Sequence, residues 1–111
     1  MQLGADMLRH LTSSGFDAFR QGVTLLGRTH QRNVLVVIYR EAIEECFPKI
    51  GSTRQCIGFV ERNLGPLRDM ANVKLRTGVF RDLPGQGAWQ PDLLIELMPA
   101  DLMRARRWMV P

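Results

Sequence analysis

Seven of the chain's arginines are the residues best suited to recognising another molecule. Arg54, Arg62, Arg68 and Arg76 lie on a segment whose apolar residues repeat with helical period. On one continuous helix they fall within an arc of roughly 120°, opposite much of the apolar one. Arg104, Arg106 and Arg107 form a second cluster, with Trp108 beside it. A guanidinium fork matches phosphate and carboxylate oxygens, and an indole next to cations can stack on a base. Both clusters are therefore candidate anion or nucleic-acid contacts. Glu61 and Asp69 share the first arc, however, so the better reading is a mixed solvent face on which these acids pair with the arginines. Trp108, at the end of an amphipathic segment, is expected to pack against its own domain.

No other constellation carries chemistry. His10 and His30 are the only histidines, and neither has a Ser or Cys partner at motif spacing. Glu41, Glu44 and Glu45 are the densest carboxylate group, and acids near a helix start are favoured by its dipole without any catalytic role. The "GQG" at 85–87 precedes a strand instead of joining a strand to a helix, so it does not read as a phosphate loop. There is no GxSxG, HExxH or P-loop. Cys46 and Cys56 sit among apolar residues, with no CxxC or Cys/His cluster, and read as two buried thiols. The expectation is no catalytic residue, no cofactor and no metal.

The 111 residues fit one domain, and an apolar share of 45% suits a globular chain. The net charge is +4, and only Lys49 and Lys74 among the basic residues are not arginine. Charge is even along the chain: residues 1–55 carry seven basic and five acidic groups and residues 56–111 eight and six, +2 in each half. No apolar run approaches the roughly 20 residues of a membrane helix. Met1 to His10 mixes Asp6 and Arg9 into its apolar residues and does not read as a signal peptide. These features place the protein in the cytoplasm, without a membrane partner.

The elements that would position the arginines follow from periodicity. Leu3, Met7, Leu8 and Leu11 have helical spacing and predict a short helix over roughly 3–13, within an N-terminal helical extension at 1–19. A strand is expected near 21–29, then a "THQR" connection, then a strand from Asn33 to Tyr39 that is apolar on both faces. The pairs 42/43 and 46/47 mark a short helix, ended by Pro48 and Gly51. "STRQ" at 52–55 reads as a capping box opening a long helical pattern over 53–77, which Gly65-Pro66 should break or kink near Asn63. A turn-rich loop at 81–91 leads to a third strand, Leu93 to Met98, and Pro99 opens a last helix over 99–111.

Three local features are familiar together. "VIYREAIEE" carries a strand straight into a helix through Arg-Glu-Ala; "FVERNLGPLRDMANVKLRTG" has an early Phe and Arg and a later Ala and Lys before a Gly; "IELMPADL" closes the sheet and opens a helix. Over about residues 20–102 the chain resembles small proteobacterial hypothetical proteins of a domain-of-unknown-function family, in words fourteen-eighty-eight. It departs from that pattern at Tyr39, where a capping serine is usual, and at Val36, where a cysteine often sits. The resemblance implies a bacterial α+β protein and transfers no catalytic or binding residue.

The resulting expectation is an α+β core at 20–102: a small antiparallel three-stranded sheet, ordered strand-strand-helix-helix-strand, packed on helices, with extra terminal helices. The function class is a non-enzymatic protein-interaction or regulatory module for an unidentified protein partner. A weak nucleic-acid-binding module using the arginine clusters is the alternative. A homodimer is also expected, because a second sheet face left bare by the terminal helices would expose an apolar patch that monomers rarely tolerate.

Overall fold

Strand β3, Asn33–Tyr39, is the axis of the structure. In the computed structural model, which describes residues 7–84 and 90–111, every residue from Val34 to Ile38 is buried. To its one side lies β2 (Gly22–Arg28), paired antiparallel from Gly22 opposite Tyr39 to Arg28 opposite Asn33. The hairpin between them closes through Thr29, whose hydroxyl accepts from the backbone N–H of Gln31 and Arg32. β1 (Arg9–Asp17) lies outside β2, again antiparallel.

On the other side the chain behaves differently. Beyond β3 it runs through α1 (Arg40–Cys46), α2 (Thr53–Arg62) and α3 (Leu64–Arg76), then a two-residue β4 (Arg81–Asp82), before entering β5 (Leu93–Leu97). A helical crossover of this kind carries the chain back to the end at which β3 began, so β5 pairs parallel to β3, Val34 opposite Leu93 through Ile38 opposite Leu97. β4 then caps the edge antiparallel to β5. α4 (Pro99–Ala105) and a 3₁₀ turn (Arg106–Trp108) finish the chain.

Among the described residues the sheet is therefore five-stranded and mixed, ordered β1-β2-β3-β5-β4, with four helices. This corrects the expected three-stranded antiparallel sheet while keeping the α+β class. It also corrects the N-terminal helix. Residues 9–17 form a strand, and the rest of that expectation, residues 1–6, lies outside the described residues, as do residues 85–89 with the "GQG". The strand's alternation is disguised by two register shifts, at Arg9/Thr12 and Ser13/Gly15. His10 (φ 56) and Gly15 (φ 96) take left-handed backbone at those places, which turns the apolar Leu8, Leu11 and Phe16 toward one face at irregular spacing.

All four helices press on the same sheet face. Val23, Leu25, Val34, Val36, Ile38, Leu93, Ile95 and Leu97 meet Ile43, Phe59, Val60, Leu67 and Leu102 in one buried cluster. Leu8 and Met109, near the two ends of the chain, join that cluster too. The opposite face holds a smaller one, Leu35, Val37 and Leu94, flanked by Tyr39 and Leu83, with relative exposures of 8%, 0% and 6%. Here Ser14 and Thr24 share a 2.6 Å hydrogen bond, and Glu96 replaces the next apolar residue. Leu26, opposite Leu35 on this face, is 43% exposed, so the second face combines a small buried apolar cluster with one exposed leucine and polar side chains.

The helix ends are fixed by side chains. Ser52 accepts from the Gln55 N–H at 3.1 Å and Gln55 accepts from the Ser52 N–H at 3.0 Å, the reciprocal box expected from the sequence. The long helical pattern breaks at Asn63, and Pro66 falls in the first turn of α3, where a missing N–H leaves nothing unpaired. Asn63 is 1% exposed. Its amide donates to the carbonyls of Phe59 (2.8 Å) and Val110 (2.7 Å) and accepts from the Val110 N–H (2.7 Å), so one side chain ends α2 and clamps the C-terminal segment. Both cysteines are buried, and burial raises both thiols, with Cys46 turned toward the Pro99 carbonyl.

Asn63→Ala should cost roughly 2–4 kcal/mol in urea unfolding, because it leaves Val110 and Phe59 groups unpaired. A loss below about 0.5 kcal/mol would show that the clamp does not hold the chain end. Cys46→Ser and Cys56→Ser should each cost roughly 1–3 kcal/mol, and both thiols should react slowly with an aromatic disulfide reagent until the protein unfolds. Rapid labelling of the folded protein would contradict their burial.

Candidate interaction surface

α3 is apolar on the side that meets the sheet and partly apolar on the side that does not. Leu67 and Ala71 are buried, yet Val73 stands 47% exposed. Between this outer side and the C-terminal segment runs an open groove. Met70, Val73, Ala105 and Trp108 line its length, Gly65 and Pro66 one end, and Thr77 and Val79 the other. It resolves into two overlapping hollows of about 550 and 520 Å³.

Trp108 is the most conspicuous residue of this groove, at 69% exposure. The expectation that it packs inside its own domain is corrected by its neighbours. Met109 is buried and Val110 is held by Asn63, so the short 3₁₀ turn before them has to present Trp108 outward. Arg107 lies 5.9 Å from its ring, a cation–π contact that keeps the indole partly screened on one face.

A buried carboxylate fixes the walls. Asp101 accepts from the Met98 N–H (2.7 Å), from Lys74 on α3 (2.7 Å) and from Arg104 on α4 (2.9 Å). Its side chain is 8% exposed and Lys74's 16%, so this ion pair is largely shielded from water and sets α3 against α4. Sequence reasoning missed it. An acid three residues past Met98 signals only a helix start, and nothing local reveals a lysine 27 positions upstream.

The candidate arginines divide by element. Arg54 and Arg62 lie two turns apart on α2; Gly58 stands between them, and a Cβ there would sit 3.1 Å from the Arg62 guanidinium. Arg68 and Arg76 lie on α3, across the break at Asn63, so the single continuous arc does not exist. Arg106 stacks 5.7 Å over Phe47, itself 5.0 Å from Phe59 of α2, which sets Arg106 on the α2 side, whereas Arg104 lines the groove with Lys74 and Thr77. Among the described residues, Arg54, Arg62, Arg68, Arg76, Arg106 and Arg107 have no ion-pair partner; Arg104 alone of the seven is paired. The salt-bridged face expected from Glu61 and Asp69 is absent for a geometric reason. These acids stand one or seven residues from an arginine, which shares an arc but not contact distance.

The other candidate groups resolve simply. Glu44 pairs with Arg40 at 3.0 Å one turn back, while Glu41 and Glu45 are exposed. His30 is exposed in the β2–β3 turn and His10 at the first bulge of β1. Among the described residues no group of three His, Cys, Asp or Glu is placed to hold a metal ion, and no helix is long and apolar enough to cross a membrane.

One polar cluster lies on the second sheet face. Tyr39 donates to Glu96, which also accepts from Arg81 at 2.8 Å. Burial and the hydrogen bond to Glu96 push the Tyr39 phenol up to about 12. Burial pushes Glu96 upward too, but the hydrogen bonds from Tyr39 and Arg81 outweigh it and hold the carboxyl below its ordinary value. No protein family, curated protein or solved structure matches this chain.

Tyr39 is the single tyrosine of the chain, so its titration is directly visible. Absorbance near 295 nm should rise with a midpoint at about 12 in the folded protein and near the ordinary value of 10 in urea. The folded state then holds the extra proton, so this contribution to stability is complete below pH 10 and is lost as pH rises through about 12. A folded-state midpoint near 10 would mean that Tyr39 and Glu96 are not hydrogen-bonded.

Proposed function

We propose that the chain is a non-enzymatic protein-interaction or regulatory module, and that the groove between α3 and the C-terminal segment is where its partner docks. The observation that carries this reading is Trp108 standing 69% exposed in a groove it shares with Met70, Val73 and Val79, the two valines each about half exposed. Tryptophan, methionine and arginine are the side chains that concentrate binding energy at protein interfaces. The walls are preset by the Asp101–Lys74 pair, so docking costs little ordering. Membership of the proteobacterial family named above, and a cytoplasmic location, belong to the same reading; for the family, what speaks is the short passage of β3 into α1 and of β5 into α4 at the quoted motifs.

The nucleic-acid reading is kept as second, on the specific ground that six of the seven candidate arginines lack ion-pair partners among the described residues. Their division between separate elements favours few simultaneous phosphate contacts, hence weak binding that falls steeply with salt.

Immobilised wild-type protein should capture a defined partner from its native host, and Trp108→Ala or Val73→Glu should reduce that capture at least about tenfold without lowering the melting temperature. Arg54→Ala, away from the groove, should not. Capture indifferent to both groove variants would contradict the reading. A fluorescence titration showing submicromolar DNA or RNA binding at roughly 150 mM salt, lost on replacing Arg62 and Arg106, would put the second reading first.

A further inference from the structure

The outer face of α3 has a self-complementary pattern. Pro66, Met70, Val73 and Thr77 follow one another at spacings of four, three and four, the seam of a helix that packs along another helix. One flank of the seam is closed within the chain, where Lys74 is tied to Asp101 of α4. The other flank, which no helix covers among the described residues, carries Asp69 and Arg76, two turns apart on the same side, with Asp69 facing a hollow it shares with Met7 to His10. Both are exposed, and neither has an ion-pair partner among the described residues.

We infer that this face binds a second copy of the chain, α3 against α3 in antiparallel orientation, about a two-fold axis beside Val73. The two flank charges are equidistant from the point midway between Asn72 and Val73. A two-fold there places Asp69 of one copy opposite Arg76 of the other, and the reverse, satisfying both unpaired charges twice over. In antiparallel helix pairs it is like flanks that meet, which is the arrangement these positions require. Val73 then lies against its own counterpart, and the 47% of it left open is covered. A parallel pairing would instead turn this flank toward the one that Lys74 occupies, where α4 already packs against α3. Closed two-fold dimers are the commonest oligomers, and their interfaces are built from one patch used twice.

The inference rests on the reading of α3 and the C-terminal groove as an interaction surface, and names a second copy as the occupant. It differs from the dimer expected from sequence, which used the far face of the sheet.

The test is charge reversal with mixing, read by light scattering or sedimentation from about 1 to about 100 µM, a range in which a micromolar complex changes mass. Wild type should show a concentration-dependent dimer. Asp69→Arg and Arg76→Glu should each weaken self-association at least about tenfold, because each sets like charges opposite one another twice. An equimolar mixture of the two should recover a heterodimer, since the new arginine meets the new glutamate and the native pair survives on the other side. Val73→Glu should abolish association in either background. Circular dichroism and melting confirm that each variant folds. A wild-type monomer across the whole range overturns the inference, as does a dimer whose mass neither reversal moves, or two folded monomeric variants whose mixture stays monomeric. If wild type is monomeric while host-partner capture still depends on Trp108, the second copy is the wrong occupant and the groove reading stands. If capture is also indifferent to Trp108, both fall.

Discussion

Asn63 is the constraint on which the rest of the arrangement depends. A buried amide must find partners for its donor and acceptor groups, and here it finds them in a backbone 47 residues downstream. The same side chain takes the Phe59 carbonyl, which ends α2 and lets α3 start on its own axis with Pro66 in its first turn. Because Val110 is fixed and Met109 is buried beside it, the preceding 3₁₀ turn has one way to face. Trp108 is left outside, over the groove that α3 forms with α4. An exposed tryptophan is therefore a consequence of satisfying one internal amide.

Two other polar side chains complete the framework around α3. Asn72 accepts from the Leu8 N–H at 2.8 Å, tying the helix to the start of β1, and Asp101 binds Lys74 from the opposite side. Each is buried, and each joins elements far apart in sequence. Removing one partner would strand a polar group in an apolar setting, which costs far more than the bond itself contributes. α3 is thus held on three sides and free on the fourth. That fourth side is the one with Val73 exposed and with Asp69 and Arg76 lacking an ion-pair partner among the described residues.

The parts of the fold legible in the sequence are those governed by neighbours along the chain. β2, β3, the short helix α1, the Ser52–Gln55 box and the break at Asn63 all follow from local period or local capping. β1 was hidden because Leu3, Met7, Leu8 and Leu11 have helical spacing, while two bulges break the strand's own alternation between Leu11 and Phe16. The parallel pairing of β5 was hidden because a strand's direction depends on what the connection does, and three helices intervene. β4 is too short to have a period at all. The candidate site was legible as residue types and not as geometry. The arginines were visible, but the division of the first four between α2 and α3 depended on the break at Asn63, and the other three fall on α4 and the 3₁₀ turn. The exposure of Trp108 depended on a contact that no local pattern encodes.

The central claim is that the open side of α3 is a recognition surface used by a second copy. Dilution of isotope-labelled protein followed by backbone and indole N–H spectra tests it residue by residue. Concentration-dependent shifts should be confined to α3 from Asp69 to Thr77 and to the Trp108 indole, while the second-face residues Leu35, Val37 and Leu94 stay fixed. Shifts centred on that second sheet face, or a spectrum that does not change with concentration, would contradict the account.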